Sequence, residues 1–376
     1  MPKYNAENER IKREYLTYLK AAKGMSDASL DAVAKALHRF EVATNFRDFR
    51  KFHVEQAIAF RRQLSEATNT ATGMPLSKAT LLQTLNALRA FALWLAGQPG
   101  YRSRISYSDA EYFRLSEKDT RVAKAVRERP VPTLEQIYSV LAAMPYNTEI
   151  GRRNRALIAF MLQTGVRDGA LVSLKLKHVD LAEGKVIQDA REVKTKFSKS
   201  FTTWFFPVGD GPRNIVEEWV AFLREQKLWG NDDPLFPATA VVNGESRQFE
   251  VAGVARHHWS NTAPVRDIFR AAFTLAGLPY FNPHSIRKTL AQLGERICRT
   301  PEEVKAWSQN LGHEDVMTTF RSYGQVPSGR QAEIIANLRR PEGADVDVDA
   351  VLKTVETALR RASQSEGRSA RNSVRL

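Results

Sequence analysis

Five side chains between positions 167 and 323 have the types and spacing needed for chemistry on a phosphate. In the stretch FNPHSIRKTL, His284 and Arg287 lie three residues apart, so they share one face if the stretch is helical. The stretch QNLGHEDVMTTFRSYGQV carries His313 and, ten residues later, Tyr323. Arg167 lies upstream, in LQTGVRDGALVSLKL. Two arginines, two histidines and a tyrosine therefore become candidates for one site.

These residue types match the requirements for cutting a DNA strand without a metal. The two non-bridging oxygens of the phosphate that is cut need fixed positive charge, which the planar guanidinium group of arginine supplies through paired donors. Histidine donates to an oxygen or exchanges a proton near neutral pH. Tyrosine supplies an oxygen nucleophile that leaves a covalent ester, and lysine can protonate the leaving 5′-oxygen. The sequence offers each of these groups.

Each residue also has a structural interpretation when it is taken alone. Arg167 could cap the helix that precedes it, and His284 could bond to backbone at a helix start. His313 could be a satisfied loop histidine, and Tyr323 a half-buried packing residue. For His313 and Tyr323 taken singly, the structural interpretation is the more common one. Only the joint occurrence of all five residues favours the functional interpretation.

The flanking sequence predicts how these residues are held. The stretch RNRALIAFMLQTG is apolar nearly all round, which indicates a buried helix ended by Gly165, two residues before Arg167. The TPEE motif at 300–303 combines a cap, a proline at the first helical position and a capping-box glutamate. Gly312 then breaks that helix just before His313.

The pattern as a whole predicts a mainly α fold with a small antiparallel β-sheet. Thr133 and Gln136 form a capping-box pair at the start of a helix. GKVIQDAREVKTKF and KSFTTWFFPV predict two strands joined by a lysine-rich turn. The stretch PATAVVNGESRQFEVAG, at 237–253, is predicted to be a loop. The expected architecture is a helical domain followed by a mixed α+β domain.

Composition favours a polyanionic partner inside the cell. The 376 residues carry a formal net charge of +14, and nucleic acid is the natural partner for such a surplus. The single cysteine, Cys298, excludes an intramolecular disulfide and a multi-cysteine metal site. No apolar run is long enough to span a membrane, and the N-terminus lacks the apolar core of a signal peptide. We expect a cytoplasmic protein, associated with the nucleoid if the source is bacterial.

The first third of the chain predicts helices that could grip DNA. LSKATLLQTLNALRAFALWLAG has a cap at Ser77, a leucine stripe and a stop at Gly97. Lys78 and Arg89 lie off that stripe, and Arg61 lies in a similar position in the preceding helix. They are candidate DNA contacts, although isolated surface charges are more often a solvated face.

The domain boundaries follow from these patterns. Residues 1–120 are predicted to form the helical DNA-binding domain, residues 121–132 a linker, and residues 133–340 the catalytic domain. In residues 341–376, an amphipathic helix around Val355 has aspartates first and arginines last, as the helix dipole favours. The final stretch, ASQSEGRSARNSVRL, is predicted to be a disordered basic tail.

The motifs resemble those of the tyrosine recombinases of the phage integrase family. TGVR followed by LVSLKLKHVDL resembles the first arginine box of that family. PHSIRKT resembles its His-x-x-Arg box, and LGHEDVMTTFRSY resembles its Leu-Gly-His box with the tyrosine downstream. All three occur in order behind a helical region similar to the core-binding domain of the family. The resemblance covers about nine-tenths of the chain.

The resemblance implies a role for each residue. Arg167 and Arg287 would hold the scissile phosphate, His284 would assist proton transfer, and His313 would contact a non-bridging oxygen. Tyr323 would form a 3′-phosphotyrosyl link and free a 5′-hydroxyl.

The lysine of the family lies in the turn between the second and third strands, where this chain offers three candidates. Lys196 is the first choice for the general acid and Lys194 the second. Lys199 is a third candidate and also a candidate DNA contact. No metal, ATP or other cofactor is implied.

The resemblance further implies an assembly on double-stranded DNA. The two domains would close around the duplex, and four protomers would act on two DNA sites. The helix around Val355 is the candidate for exchange between protomers. The sequence does not specify the DNA site, the accessory factors or the biological task, such as integration, transposition, cassette exchange or chromosome resolution.

Two departures from the family pattern keep rival functions open. The acidic residue usual three positions after the first arginine is replaced by Ala170, with Asp168 nearer. Tyr323 lies one residue farther from His313 than in most relatives, and Ser322 occupies the usual place. One rival is therefore a DNA-binding architectural protein of the same fold with impaired catalysis. The other is an enzyme that mainly relaxes supercoils, as type IB topoisomerases do.

Overall fold

The computed structural model describes residues 4–70, 72–125, 130–243 and 249–313. The chain divides into two compact units, Met1–Glu128 and Arg129–Leu376. Tyr323, Ser322 and the predicted C-terminal helix and tail lie outside the described residues. Across the ranges that are described, we find no helix that is both long and apolar enough to cross a membrane.

The N-terminal unit is built from helices around one apolar core. Its best-specified helix begins at Ser77, whose Oγ accepts from the Thr80 N–H at 3.2 Å, and ends at Gly97. The predicted stripe is buried at Leu81, Leu85 and Leu88, and each buried leucine contributes about 2 kcal/mol to the hydrophobic stabilisation of the unit. The helices of this unit are α1 (Ala6–Ala21), α2 (Asp27–Ala43), α3 (Val54–Glu66), α4 (Lys78–Ala96) and α5 (Glu117–Lys124).

Helix α5 occupies part of the segment that was expected to be a linker. Ser116 caps it by accepting from the Asp119 N–H at 3.0 Å, and acidic residues precede basic ones along its length. This charge order suits the helix dipole. Residues 121–124 of the predicted linker are therefore helical, although α5 buries none of its side chains.

The C-terminal unit places one buried helix at the centre of a mixed layer of helices and strands. That helix, α7, buries eleven of its sixteen residues and ends at Gly165, which adopts a left-handed conformation with φ 56°. A Cβ at Gly165 would lie only 3.0 Å from the Leu311 side chain, so glycine is required for both backbone and packing reasons. The helices are α6 (Leu134–Ala143), α7 (Glu149–Thr164), α8 (Asp168–Leu171), α9 (Asp210–Ala221), α10 (Ala263–Leu275), α11 (His284–Ile297) and α12 (Pro301–Asn310).

The described strands form two small antiparallel sheets. The first has the order β1-β2-β3, and the second is a hairpin of β4 and β5. The strands are β1 (Val179–Asp180), β2 (Lys185–Gln188), β3 (Phe201–Trp204), β4 (Thr239–Asn243) and β5 (Phe249–Val254). Strands β2 and β3 pair from Lys185↔Trp204 to Gln188↔Phe201, so the lysine-rich stretch lies in the turn between them, as predicted. The mainly α fold with a small antiparallel sheet is confirmed.

The loop predicted at 237–253 is wrong, because β4 and all but the last residue of β5 lie within it. Adjacent valines and the Asn-Gly pair at 243–244 were the missed signals of a hairpin. The hairpin is anchored through Glu149 at the start of α7, whose carboxylate accepts from the Val254 N–H at 3.0 Å and from Lys227 Nζ at 2.9 Å.

Candidate active site

Arg287 is the point where the three motif segments meet. It lies one turn into α11 and is only 5% exposed. Its Nη1 donates to the carbonyl of Gly165, in the first arginine box, and its Nη2 donates to the carbonyl of Leu311 at 2.5 Å. The same Nη2 lies 3.2 Å from His313 Nε2. Segments separated by more than 120 residues of chain are thus joined by one guanidinium group.

Arg167 adds a second positive charge beside Arg287. It occupies the N-cap position of α8 without a side-chain capping bond, directly after the buried Val166, and is itself half-buried. Burial lowers the pKa of Arg167, and burial together with the charge of Arg167 lowers the pKa of Arg287 to about 9. Neither arginine forms an ion pair with any carboxylate in the ranges that the structure describes. A buried and a half-buried guanidinium group without a counterion among the described residues provide a preformed site for an anion.

Burial and the positive charge of the arginines lower the pKa of both histidines. His284 is exposed at the first position of α11, yet desolvation by the surrounding protein lowers its pKa, and Arg287 and Arg167 lower it further. Burial, followed by Arg287 and Arg167, lowers the pKa of His313 to about 4. A neutral His313 accepts from Arg287 at Nε2, which assigns its proton to Nδ1. An anion bound between the arginines would raise both histidine pKa values, because it would offset the field.

The turn between β2 and β3 separates the lysine candidates. Lys196 is exposed, its Nζ lies 4.8 Å from the centroid of the Phe197 ring, and its charge lowers the pKa of His313. The charge of Lys194 lowers the pKa of His258 instead, while its backbone N–H donates to Ser173 Oγ at 2.9 Å. Lys199 is half-buried where the turn ends. The charge of Lys196 is thus felt at the arginine–histidine cluster.

The missing acidic residue has a packing explanation. Ala170 is 1% exposed and belongs to the apolar core of the C-terminal unit, so this fold leaves no polar space there for a carboxylate. Asp168 stands nearer the cluster. Its Oδ1 accepts from the Gly169 N–H at 2.9 Å, its Oδ2 lies 3.8 Å from Arg266 Nη2, and its charge raises the pKa of His284.

The candidate DNA contacts of the N-terminal unit already have partners within that unit. Lys78 pairs with Asp119 at 3.0 Å and Arg89 with Glu111 at 2.5 Å. Arg61 donates to the Tyr112 carbonyl at 3.3 Å. These contacts involve partly exposed side chains, and such ion pairs contribute little to stability. Phosphates can therefore replace the carboxylates at low cost.

Asn310 lies beside the site and was not among the residues that the sequence motifs indicated. Asn310 bonds to the β3 backbone, and its only sequence signal was its position just before the Leu-Gly-His motif.

Within residues 4–313, apart from the three short gaps, no cluster of three or more His, Cys, Asp or Glu side chains is arranged to hold a metal ion. Tyr323 lies beyond the described residues, ten positions after His313.

Comparisons with known proteins agree with this geometry. The profile described as "Phage integrase family" matches residues 131–329. The tyrosine recombinase XerC of Lactobacillus delbrueckii subsp. bulgaricus is 24% identical over 315 residues, which cover 82% of this chain and 92% of that protein. The tyrosine recombinase XerD of Oceanobacillus iheyensis is 22% identical over 313 residues, covering 81% and 90% respectively.

Solved structures show the same fold. A lambda integrase dimer bound to a COC′ core site superposes with a TM-score of 0.57 at 14% identity, covering 84% of this chain and 94% of that one. The XerH recombinase bound to its difH substrate superposes with a TM-score of 0.55 at 17% identity, covering 88% and 84% respectively. The family profile spans more than half of the sequence and includes every candidate from Arg167 to Tyr323. The chain therefore belongs to the phage integrase family.

Proposed function

We propose that this protein is a tyrosine-type site-specific recombinase that cuts and rejoins DNA through a 3′-phosphotyrosyl intermediate. The observation that carries the proposal is the position of Arg287. It is buried, has no carboxylate partner among the described residues, and bonds to both of the other motif segments. Relatives of this chain that are named tyrosine recombinases match it over most of its length.

The proposed reaction conserves the number of phosphoester bonds. Arg167 and Arg287 hold the non-bridging oxygens of the scissile phosphate, and His313 donates to one of them. The Tyr323 oxygen attacks phosphorus and loses its proton with help from His284, while the 5′-oxygen leaves and takes a proton from Lys196. Attack by a 5′-hydroxyl on the phosphotyrosine then restores the DNA backbone and the free tyrosine. The ester energy is retained, so rejoining needs no ATP.

The remaining parts of the chain have supporting roles in this proposal. Residues 1–120 form the core-binding domain, residues 121–132 the linker and residues 133–340 the catalytic domain. Lys78, Arg89, Arg61 and Lys199 contact phosphates, which makes binding strongly salt-dependent. Four protomers act on two DNA sites, with exchange of the helix in residues 341–376. The protein works in the cytoplasm, on the nucleoid if the source is bacterial.

The rival functions differ from this proposal in what happens to the DNA. An architectural protein binds DNA and forms no covalent adduct. A relaxing enzyme changes plasmid supercoiling and does not exchange strands between two sites. The preformed positive cluster favours an active enzyme, because an architectural protein has no use for a buried guanidinium charge that costs stability.

The test begins with recovery of the bound DNA from cells by sequencing, because the target site is unknown. Duplexes carrying that site, with a nick that traps the covalent intermediate, are then incubated with wild type, Tyr323→Phe and Ser322→Ala. We expect an adduct with wild type and Ser322→Ala, none with Tyr323→Phe, and equal DNA binding by all three. Two-site exchange and plasmid relaxation assays distinguish recombination from simple relaxation. Binding with no adduct from wild type would establish the architectural rival.

A further inference from the structure

The side chain of Asn310 takes the place of a neighbouring strand at the outer edge of β3. In the described part of the sheet, β3 pairs only with β2, so its other edge is open. The Asn310 Oδ1 accepts from the Trp204 N–H at 2.7 Å, and its Nδ2 donates to the Trp204 carbonyl at 2.8 Å. The Asn310 side chain therefore makes with the Trp204 backbone both hydrogen bonds that a residue of an antiparallel strand would exchange with it.

A second contact reinforces this attachment. Thr203 Oγ1 donates to the Asn310 backbone carbonyl at 3.2 Å and accepts from Gln188 Nε2 at 3.0 Å. Thr203 and Gln188 are both buried. The last residue of α12 is therefore bonded to β3 through its side chain and its backbone, across more than 100 positions of sequence.

The chain directly after Asn310 enters the candidate active site. The next residue, Leu311, supplies a carbonyl to Arg287 at 2.5 Å. Gly312 has φ 68°, and a Cβ there would lie 2.7 Å from the Phe201 ring of β3. His313 then lies 3.2 Å from Arg287. Only two residues lie between the attachment at Asn310 and His313, and the close approach of Gly312 to Phe201 leaves this short segment little freedom to move.

We propose that Asn310 is a positioning residue, which fixes His313 against Arg287 by attaching α12 to the strand that follows the Lys196 turn. The general acid candidate and the histidine are thereby held by one strand, β3, because it begins just after the lysine turn and ends at the Asn310 contact. The catalytic consequence of this role rests on the recombinase function proposed above. The structural part, the orientation of His313, does not.

The experiment uses full-length protein with ¹⁵N-labelled histidine, and compares wild type with Asn310→Ala. The matched control is Gln309→Ala, the exposed neighbour on the same helix. His313 is assigned from a His313→Gln spectrum. We expect the His313 pKa to stay near 4 in wild type and the control, and to move toward the 6.5 of an unperturbed imidazole in Asn310→Ala. Thermal midpoints should fall by no more than about 5 °C.

The same variants are compared in single-turnover cleavage of the trapped substrate. Asn310→Ala should lower the cleavage rate by roughly 10- to 100-fold with DNA affinity unchanged, because a small displacement of a catalytic group has that effect. If wild type forms no adduct, the recombinase proposal fails, and the histidine titration still decides the role of Asn310.

A second variant covers the case in which Asn310→Ala does not fold. Thr203→Val keeps the side-chain shape and removes the bond to the Asn310 carbonyl, so it should raise the His313 pKa by a smaller amount. A His313 titration unchanged in Asn310→Ala would overturn the proposal. An equal change of the His313 pKa in Gln309→Ala would also overturn it. If Asn310→Ala is unfolded, a His313 pKa in Thr203→Val equal to that of wild type would overturn it.

Discussion

Replacement of Arg287 by methionine should abolish DNA cleavage at little cost in stability. Burial and Arg167 lower the pKa of Arg287 from the usual range of a guanidinium group to about 9, which corresponds to about 5 kcal/mol of unfavourable free energy for the charged group in the folded protein. The guanidinium remains protonated below its folded pKa, so the folded state carries this cost in full at pH 7. The cost declines only as the pH rises above about 9.

Methionine removes this cost and creates another. The carbonyl oxygens of Gly165 and Leu311 lose their donor, and each unpaired buried acceptor costs about 1–3 kcal/mol. The two effects oppose each other, so the free energy of unfolding should stay within about 3 kcal/mol of wild type. Cleavage should fall by at least about 10³-fold, because a fixed charge on the phosphate is lost.

The assay pairs denaturant unfolding with single-turnover cleavage of the trapped substrate. Arg296→Met is the control, since Arg296 is exposed on the same helix, and it should change neither measurement. Destabilisation by more than about 5 kcal/mol would show that Arg287 is chiefly a structural anchor and would refute the estimate. Retention of cleavage by Arg287→Met would refute its assignment to the phosphate.

Three further predictions follow from the surrounding residues. Lys196→Ala should slow cleavage by roughly 10²- to 10⁴-fold, whereas Lys194→Ala should have little effect. A substrate with sulfur at the 5′-bridging position should restore the rate of Lys196→Ala, because a thiolate leaves without a proton. The depressed pKa of His313 predicts that the free energy of unfolding falls as the pH decreases from about 6.5 to about 4, because the unfolded state binds a proton that the folded state does not. In thermal unfolding, His313→Gln should lose that part of the pH dependence. Ala170→Glu, which follows the usual family pattern, should lower the thermal midpoint sharply, because it places an unpaired carboxylate in an apolar core at a cost of more than about 3 kcal/mol.

Each of these predictions has a contradicting outcome. Failure of the sulfur substrate to restore Lys196→Ala would remove Lys196 from the role of general acid, and a larger defect in Lys194→Ala would transfer that role. An identical pH dependence in His313→Gln would mean that His313 is not held beside the arginines. A stable Ala170→Glu protein would show that polar space exists where the structure places the core.

The sequence predicted the elements whose signals are local. The stop at Gly165 needs only a glycine after an apolar helix, and the caps at Thr133 and Thr300 need only a polar residue with its partner three positions on. The turn between β2 and β3 was visible because alternating strands flank a lysine-rich stretch. The order of the motifs was enough to indicate the family before any geometry was known.

The sequence could not supply contacts that depend on distant segments. Nothing local to Arg287 indicates that its partners are the carbonyls of Gly165 and Leu311, and nothing near Asn310 identifies Trp204. The β4–β5 hairpin was missed because neighbouring valines were not weighed against the polar residues between them. Lys78, Arg89 and Arg61 are candidate DNA contacts from the sequence, but their acidic and carbonyl partners can be seen only in the folded unit.

The identity of the residue that carries the DNA is the most direct test of the central claim. Wild-type protein is trapped on the nicked substrate and digested with protease and nuclease, and the nucleotide-bearing peptide is sequenced by mass spectrometry. We predict a single modified peptide, with a 3′-linked phosphodiester on Tyr323, and a free 5′-hydroxyl on the released strand. A link to Ser322 or to any other side chain, or a phosphate left on the 5′ end, would contradict the account.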